Sequence, residues 1–361
     1  MRLVLVFLCA LSMAQVQTNG SIKVLINQSK SLFDGTTTQY WVNRLRLKNQ
    51  FDYKDRLSAE VWLDTSWLMG NYLDSFEYFL SQQVPTSDYL DLDTELLNEH
   101  WGIVDLRLER AALSWHTKQV ELTLGRQRIA WGSGFVWNPT DLFNPTSPTS
   151  IEREEKATTD GVHFVYNHGT FQRTELAYAP ATDAEAKKWA LRHSGHFGKT
   201  DWSLMGGERG QAEVLGGDMS TYLGSNALRA EWLVTWDDEA TSIKAIINTD
   251  RTWGKTYAMA ELFYDDSGGD QPEGLPILVE QRSGKAYLAA LASRELTPLT
   301  SLQVYAVVNL DDHSALLGPS FSYSLGQNMD IALSTYLFAG HDETEFGRFD
   351  PLYFTAIQIY F

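Results

Sequence analysis

The sequence predicts an all-β chain: an antiparallel transmembrane β-barrel of about 18 strands (range about 16–20), with short periplasmic turns and long extracellular loops. Three observations predict it. Hydrophobicity alternates with period two along almost the whole chain, an export leader precedes a mature chain without cysteine, and the last strand ends on an aromatic residue.

The leader comes first. In "MRLVLVFLCALSMA", Arg2 precedes an apolar run from Leu3 to Leu11, and Ser12-Met13-Ala14 follows. That is the plan of a cleaved signal peptide, with residues 1–14 removed, and the run is too short to span a membrane as a helix. Cys9 is the only cysteine, so the exported chain has no disulfide framework to hold it together. Residues 15–361 read as one barrel domain containing an inward-folding loop at 130–157.

Charge and composition narrow the function. With 29 basic and 46 acidic residues the chain carries a net −17, and nucleic-acid binding needs the opposite balance. Twelve Trp, 16 Tyr and 17 Phe accompany a mean hydropathy of −0.26. A chain both polar on average and aromatic-rich suits strands with one face in lipid and the other in water.

The strands justify themselves by phase. "SLQVYAVVNL" sets Leu302, Val304, Ala306 and Val308 against Gln303, Tyr305 and Asn309. "ALRAEWLVTW" sets Leu228, Ala230, Trp232, Val234 and Trp236 against Arg229, Glu231 and Thr235. One such segment is a weak signal, and repetition is what persuades. It recurs near 20–30, 38–51, 55–67, 103–117, 119–129, 158–168, 170–179, 188–198, 200–208, 214–223, 227–236, 241–250, 255–265, 284–295, 299–309, 314–325, 328–339 and 351–361. Short links such as 52–55, 116–119 and 224–227 alternate with longer acidic ones at 68–102, 130–157, 266–283 and 340–350. Helix is nearly absent, with room for a turn or two around 89–99. The final "LYFTAIQIYF" places Tyr353, Ile357, Ile359 and Phe361 on one face.

The least ordinary stretch is "GRQRIAWGSGFVWNPTDLFNP", Gly125 to Pro145. Its glycines lack the following helix that a phosphate-binding loop needs, and its Asn-Pro pairs break helix. Trp131, Phe135, Trp137, Leu142 and Phe143 are poorly suited to an exposed loop. The segment either folds into the barrel and constricts or plugs it, or caps the extracellular rim. Strict alternation from Leu122 and Leu124 would send Arg126 and Arg128 into lipid, where a mid-membrane Arg costs about 2–4 kcal/mol. Either a bulge at Gly125 turns both inward, or both sit at the rim facing lipopolysaccharide phosphates. Folded inward, the aromatics would narrow a pore and the two arginines would face Glu60 or Asp64.

"LGRQRIAWGSGFVWNPTDLFNP", followed by "IEREEK" and "DGVHFVYNHG", resembles porin-like bacterial outer-membrane proteins, with alginate-export-type barrels as relatives in style. The resemblance implies the outer membrane of a Gram-negative bacterium and an aromatic C-terminus, Phe361, read by the outer-membrane assembly machinery. It also implies transport: passive diffusion of small hydrophilic solutes. The alternatives are a channel dedicated to an oligosaccharide or organic acid, or a nonconducting structural or adhesive barrel. The chain departs from polysaccharide exporters in lacking a strongly Arg-rich lumen. Expected partners are membrane lipid, lipopolysaccharide and the solutes; oligomeric state is open.

Candidate pore-lining charges follow from phase: Arg44, Arg46 and Lys48; Glu60 and Asp64; Arg107 and Glu109; Arg173 and Glu175. They form either a field that selects solutes by charge or ion pairs that stiffen the wall. The carboxylates Asp88, Asp91, Asp93 and Glu95 lack the glycine of an EF-hand loop, so no metal or other cofactor is expected. His163, His168, His193 and His196 show no nucleophile pattern, which points away from an enzyme.

Overall fold

The computed structural model describes residues 15–54, 56–83, 89–144, 158–183, 186–238, 240–268 and 284–361. The leader, Asp88 and the second half of loop 130–157 lie outside them.

Nineteen strands form one sheet. They are β1 (Gln15–Lys30), β2 (Thr37–Tyr53), β3 (Leu57–Gly70), β4 (Asp93–Glu99), β5 (Gly102–His116), β6 (Val120–Gln127) and β7 (Thr159–Asn167). Next come β8 (Arg173–Ala179), β9 (Lys188–Phe197), β10 (Thr200–Arg209), β11 (Ala212–Leu223), β12 (Asn226–Trp236) and β13 (Thr241–Trp253). The rest are β14 (Thr256–Asp265), β15 (Ala286–Thr297), β16 (Thr300–Asn309), β17 (Ala315–Gly326), β18 (Met329–Ala339) and β19 (Leu352–Tyr360). Every described pairing is antiparallel, and β1 pairs with both β2 and β19, so eighteen strands close into a ring. Closure follows from the solvent: in lipid an unpaired backbone N–H or C=O has no partner, so a spanning sheet must have no edge.

Each predicted strand is present. Outward positions such as Leu204, Leu215, Ile247, Leu262 and Leu333 are exposed apolar side chains, the surface that lipid covers. Phe171, Phe197, Tyr222 and Trp253, all strongly exposed, cluster at the short-turn end as an interfacial aromatic girdle. The seam is finished by Phe361, whose backbone exchanges hydrogen bonds with Gly20 (2.8 and 3.0 Å).

Three features depart from the sequence reading. The 89–99 region holds no helical turn; its second half is β4, and among the described residues the one short α-helix lies at Phe76–Ser81. The long-loop side is uneven, since β10 and β11 are joined there by Gly210 and Gln211 alone. A bulge lies in β5 rather than β6: Trp62 faces Arg110 while Leu63 faces Leu108, leaving Glu109 as the extra residue. That extra residue resets the phase, so both Arg107 and Arg110 project to the polar face while Leu108 stays on the apolar one.

Register runs through Gly125 without a shift, pairing Ala112 with Gly125 and Ala111 with Arg126. The local device is a backbone conformation instead. Gly125 has φ +112°, and a Cβ there would sit 2.2 Å from the Ala111 carbonyl oxygen. Gly125→Ala is therefore expected to destabilise the barrel by about 1–3 kcal/mol from backbone strain, and more from the clash. The midpoint of chemical unfolding in detergent measures it; an unchanged midpoint would contradict the close approach.

Candidate functional site

β6 is eight residues long beside a fifteen-residue β5, so the upper half of β5 would have an open edge. β4 covers it, pairing Asp93–Glu99 with Gly102–Arg107. Below this patch the chain leaves the wall at Gln127 and turns to the polar face. Arg126 holds the junction. Its Nε and Nη2 donate to Asp160 of β7 (2.9 and 3.1 Å), Nη1 to the Leu108 carbonyl of β5 (3.2 Å), and Nη2 to the Leu90 carbonyl (2.6 Å). The Leu90 N–H returns to Asp160 at 2.8 Å. With 1% of its surface exposed, Arg126 closes a break in the wall and does not line a pore. Its expected partners Glu60 and Asp64 bind other arginines.

From Ile129 to Asn144 the chain lies against the polar faces of β8 to β15. Glu231 of β12 accepts from the backbone N–H groups of Ser133 and Gly134, and from the N–H and hydroxyl of Thr140 (3.3 and 3.0 Å). Glu261 of β14 accepts from the N–H groups of Phe135, Val136 and Trp137 at 2.7, 3.0 and 2.8 Å, while Asn248 donates to it at 2.9 Å. Trp131 Nε1 donates to Glu175 of β8 at 3.3 Å. Glu175, Glu231 and Glu261 are buried and alternate with the exposed apolar side chains of Leu176, Trp232 and Leu262. Successive side chains of a strand point to opposite faces. The three carboxylates therefore point away from lipid, and the segment they hold lies inside the barrel.

Its composition fits that place. Gly132 has φ +90°, and a Cβ would fall within 2.8 Å of both Glu231 oxygens, so glycine lets the backbone press against the carboxylate. Asn144 Oδ1 accepts from the Ile129 N–H at 2.7 Å, tying the two ends of the segment. Ile129, Trp131, Leu142 and Phe143 are buried against Ala177, Ala179, Ala190 and Met205, small or flexible wall residues that leave room for rings. Val136 and Trp137 join a second cluster with Phe263 and Tyr287, Trp137 stacking on Phe263 at 4.9 Å. Each such side chain gains about 1.5–3 kcal/mol by leaving water. Phe135 alone of the aromatics stays open, 46% exposed.

Among the described residues, two cavities lie beside the segment. One, about 490 Å³, is lined by Arg110, Arg128, Arg173, Glu121, Glu175 and His163 together with Ala130 and Trp131. The other, about 750 Å³, lies between Phe135 and the inner faces of β15 to β19 and β1.

The predicted charges largely face this interior, in ion pairs. Asp64 receives Arg46 through both Nε (2.6 Å) and Nη2, with Arg44 at 3.9 Å. Arg107 meets Glu109 at 3.1 Å and Asp93 at 3.4 Å. Glu60 accepts from Arg110 at 2.9 Å, and Trp62 is faced by Arg110 (3.8 Å) and Lys48 (4.0 Å). Glu175 gathers Arg173, Arg192 and His163. Arg128 is exposed into the smaller cavity, and Trp131 and Trp137 are buried by the segment's own packing.

Sequence reading passed over Arg110, Asp160, Arg192, Glu231 and Glu261. Alternation puts Glu231 on the polar face but assigns it no role. Its signal, and that of Glu261 between Ala260 and Leu262, was a lone inward carboxylate opposite a loop rich in unpaired N–H groups.

No family model matches this sequence, and no curated protein matches it. Among solved structures, the outer membrane protein OpdK of Pseudomonas aeruginosa superposes with a TM-score of 0.61 at 11% identity, over 96% of this chain and 98% of that one. OccK9 (OpdG) of the same organism gives 0.62 at 10% identity, over 97% and 99%. OccAB4 of Acinetobacter baumannii gives 0.62 at 8%, over 96% and 98%. At these identities the likeness is one of fold: the chain has the barrel fold of Gram-negative outer-membrane proteins.

Proposed function

We propose that this protein is an outer-membrane channel of a Gram-negative bacterium through which small hydrophilic solutes diffuse passively. The observation that carries the reading is the interior: a closed barrel whose lumen is crossed by Ile129–Asn144 yet keeps two cavities of about 490 and 750 Å³ on either side. A barrel of this size is wide enough for an aqueous path, and an inward segment sets its width. Phe361 at the seam serves as the signal for the assembly machinery, and the apolar belt contacts lipid and lipopolysaccharide.

A second reading, a channel preferring organic acids, is favoured by one feature. Arg110, Arg128 and Arg173 converge on the smaller cavity, while Arg44, Arg46 and Lys48 lie along the adjoining wall. OpdK has been crystallised with vanillate, a carboxylate. Charges focused in a narrow, low-dielectric passage act strongly on a permeating ion.

Purified protein in planar bilayers tests both readings. Ion conductance is expected, and its absence would overturn the channel reading. Replacing Arg128 and Arg173 by glutamine is expected to shift reversal potentials towards cation preference and to slow benzoate uptake. An unchanged reversal potential would remove the organic-acid reading and leave the channel standing.

A further inference from the structure

The two cavities differ in chemistry. Around the smaller one the lining is dense in arginine and glutamate. The larger carries only Lys23, Glu295 and Asp330 as charged lining residues; the rest is hydroxyl, amide, aromatic or small, with the aliphatic Leu25, Leu291, Leu299 and Ile331 among them. Two serine pairs bridge neighbouring strands there, Ser301–Ser322 at 2.5 Å and Ser320–Ser334 at 2.7 Å. Gln303 and Gln358 add amides, and Phe135, Tyr336 and Phe354 present aromatic surface, the last two edge to face at 5.3 Å.

Resting on the channel reading, we propose that this larger cavity is a binding site for uncharged saccharides, separate from the arginine-lined side. A sugar presents hydroxyls that must both donate and accept. Arginine only donates and an ionised carboxylate only accepts, whereas serine hydroxyls and glutamine amides do both. A serine pair that spends one donor and one acceptor on itself keeps one donor and three acceptor sites for a passing solute. The ring C–H face of a sugar is apolar and covers aromatic surface. A concave site of a few hundred cubic ångström with aromatic walls and a few polar groups is the ordinary form of a small-molecule site, and 750 Å³ falls in that range. A neutral solute gains nothing from the arginines, so the two cavities divide solutes by charge.

The test uses the full chain in proteoliposomes, with glucose, maltose and benzoate as probes and potassium chloride conductance as the reference. The wild type is expected to admit glucose, and maltose is expected to reduce the ion current saturably. Ser320→Val with Ser334→Val is expected to slow glucose entry about five- to tenfold, the effect of losing one or two neutral hydrogen bonds, with conductance and benzoate entry unchanged. Should that variant lose the heat-shifted gel mobility of a folded barrel, Gln303→Met with Gln358→Met carries the same expectation from other strands. A wild type that conducts ions but admits no glucose, or substitutions that leave glucose entry unchanged, would overturn the saccharide site while the channel reading stands. No conductance at all would overturn the channel reading itself.

Discussion

Replacing Glu231 and Glu261 together by alanine is expected to raise single-channel conductance severalfold while the barrel still folds. The two carboxylates hold five loop N–H groups between Ser133 and Trp137, together with the N–H and hydroxyl of Thr140. Both are closed to solvent, Glu231 at 2% and Glu261 at 0% exposure. Removing the acceptors leaves buried donors without partners, at about 1–3 kcal/mol each. Several such penalties offset most of what the six buried apolar side chains of the segment supply, so the segment spends part of its time off the wall and in water. The strand ladders do not pass through these side chains, so the ring stays closed and the gel mobility shift on heating is retained. Glu261→Gln keeps one acceptor oxygen and should give a smaller rise, or a flickering open level. Unchanged conductance in the alanine pair would show that ring packing alone fixes the segment, and that the carboxylates are dispensable.

The same residues show what a sequence displays and what it hides. Strand positions were legible because lipid on one side and water on the other impose a period of two that each strand repeats, as in Leu302 to Val308. The inward course of the Trp131–Phe143 segment was legible from its aromatics, since such rings must find an apolar surface. Phase at an irregularity was not legible. A bulge at Gly125 and the bulge at Glu109 predict the same parity change in their strands, yet only the second exists, and Gly125 turns its chain by φ alone. β4 was hidden for a different reason. "DTELLNE" has helical composition, and it forms a strand because a short β6 leaves the edge of β5 open, a fact of pairing that no local pattern carries. Partner choice was hidden too. Arg126 met Asp160 and not Glu60 or Asp64, because neighbours in a sheet are set by register, and Arg126 stands directly opposite Asp160 in the β6–β7 pair.

That pair carries the second large effect. Arg126→Met is expected to destabilise the folded barrel by about 3–5 kcal/mol, the usual consequence of leaving one member of a buried ion pair alone. Asp160 is 4% exposed, and its remaining donors are the backbone N–H groups of Leu90 and Tyr89, so its charge would stay buried with no cation beside it. The loss goes beyond the pair. The Leu90 and Leu108 carbonyls also lose a donor where the wall passes from β6 to β4, so the patch over β5 should loosen and Asp93–Glu99 should become the first segment cut by protease. Asp160→Asn, which keeps an acceptor and removes the stranded charge, should restore part of the stability when combined with Arg126→Met. Unfolding midpoints of the two single variants and the double variant in detergent form the cycle that separates the pair from the carbonyl contacts. A single-variant cost under about 1 kcal/mol, the range of a solvent-exposed ion pair, would mean that water reaches Asp160 and that the junction is not sealed by Arg126.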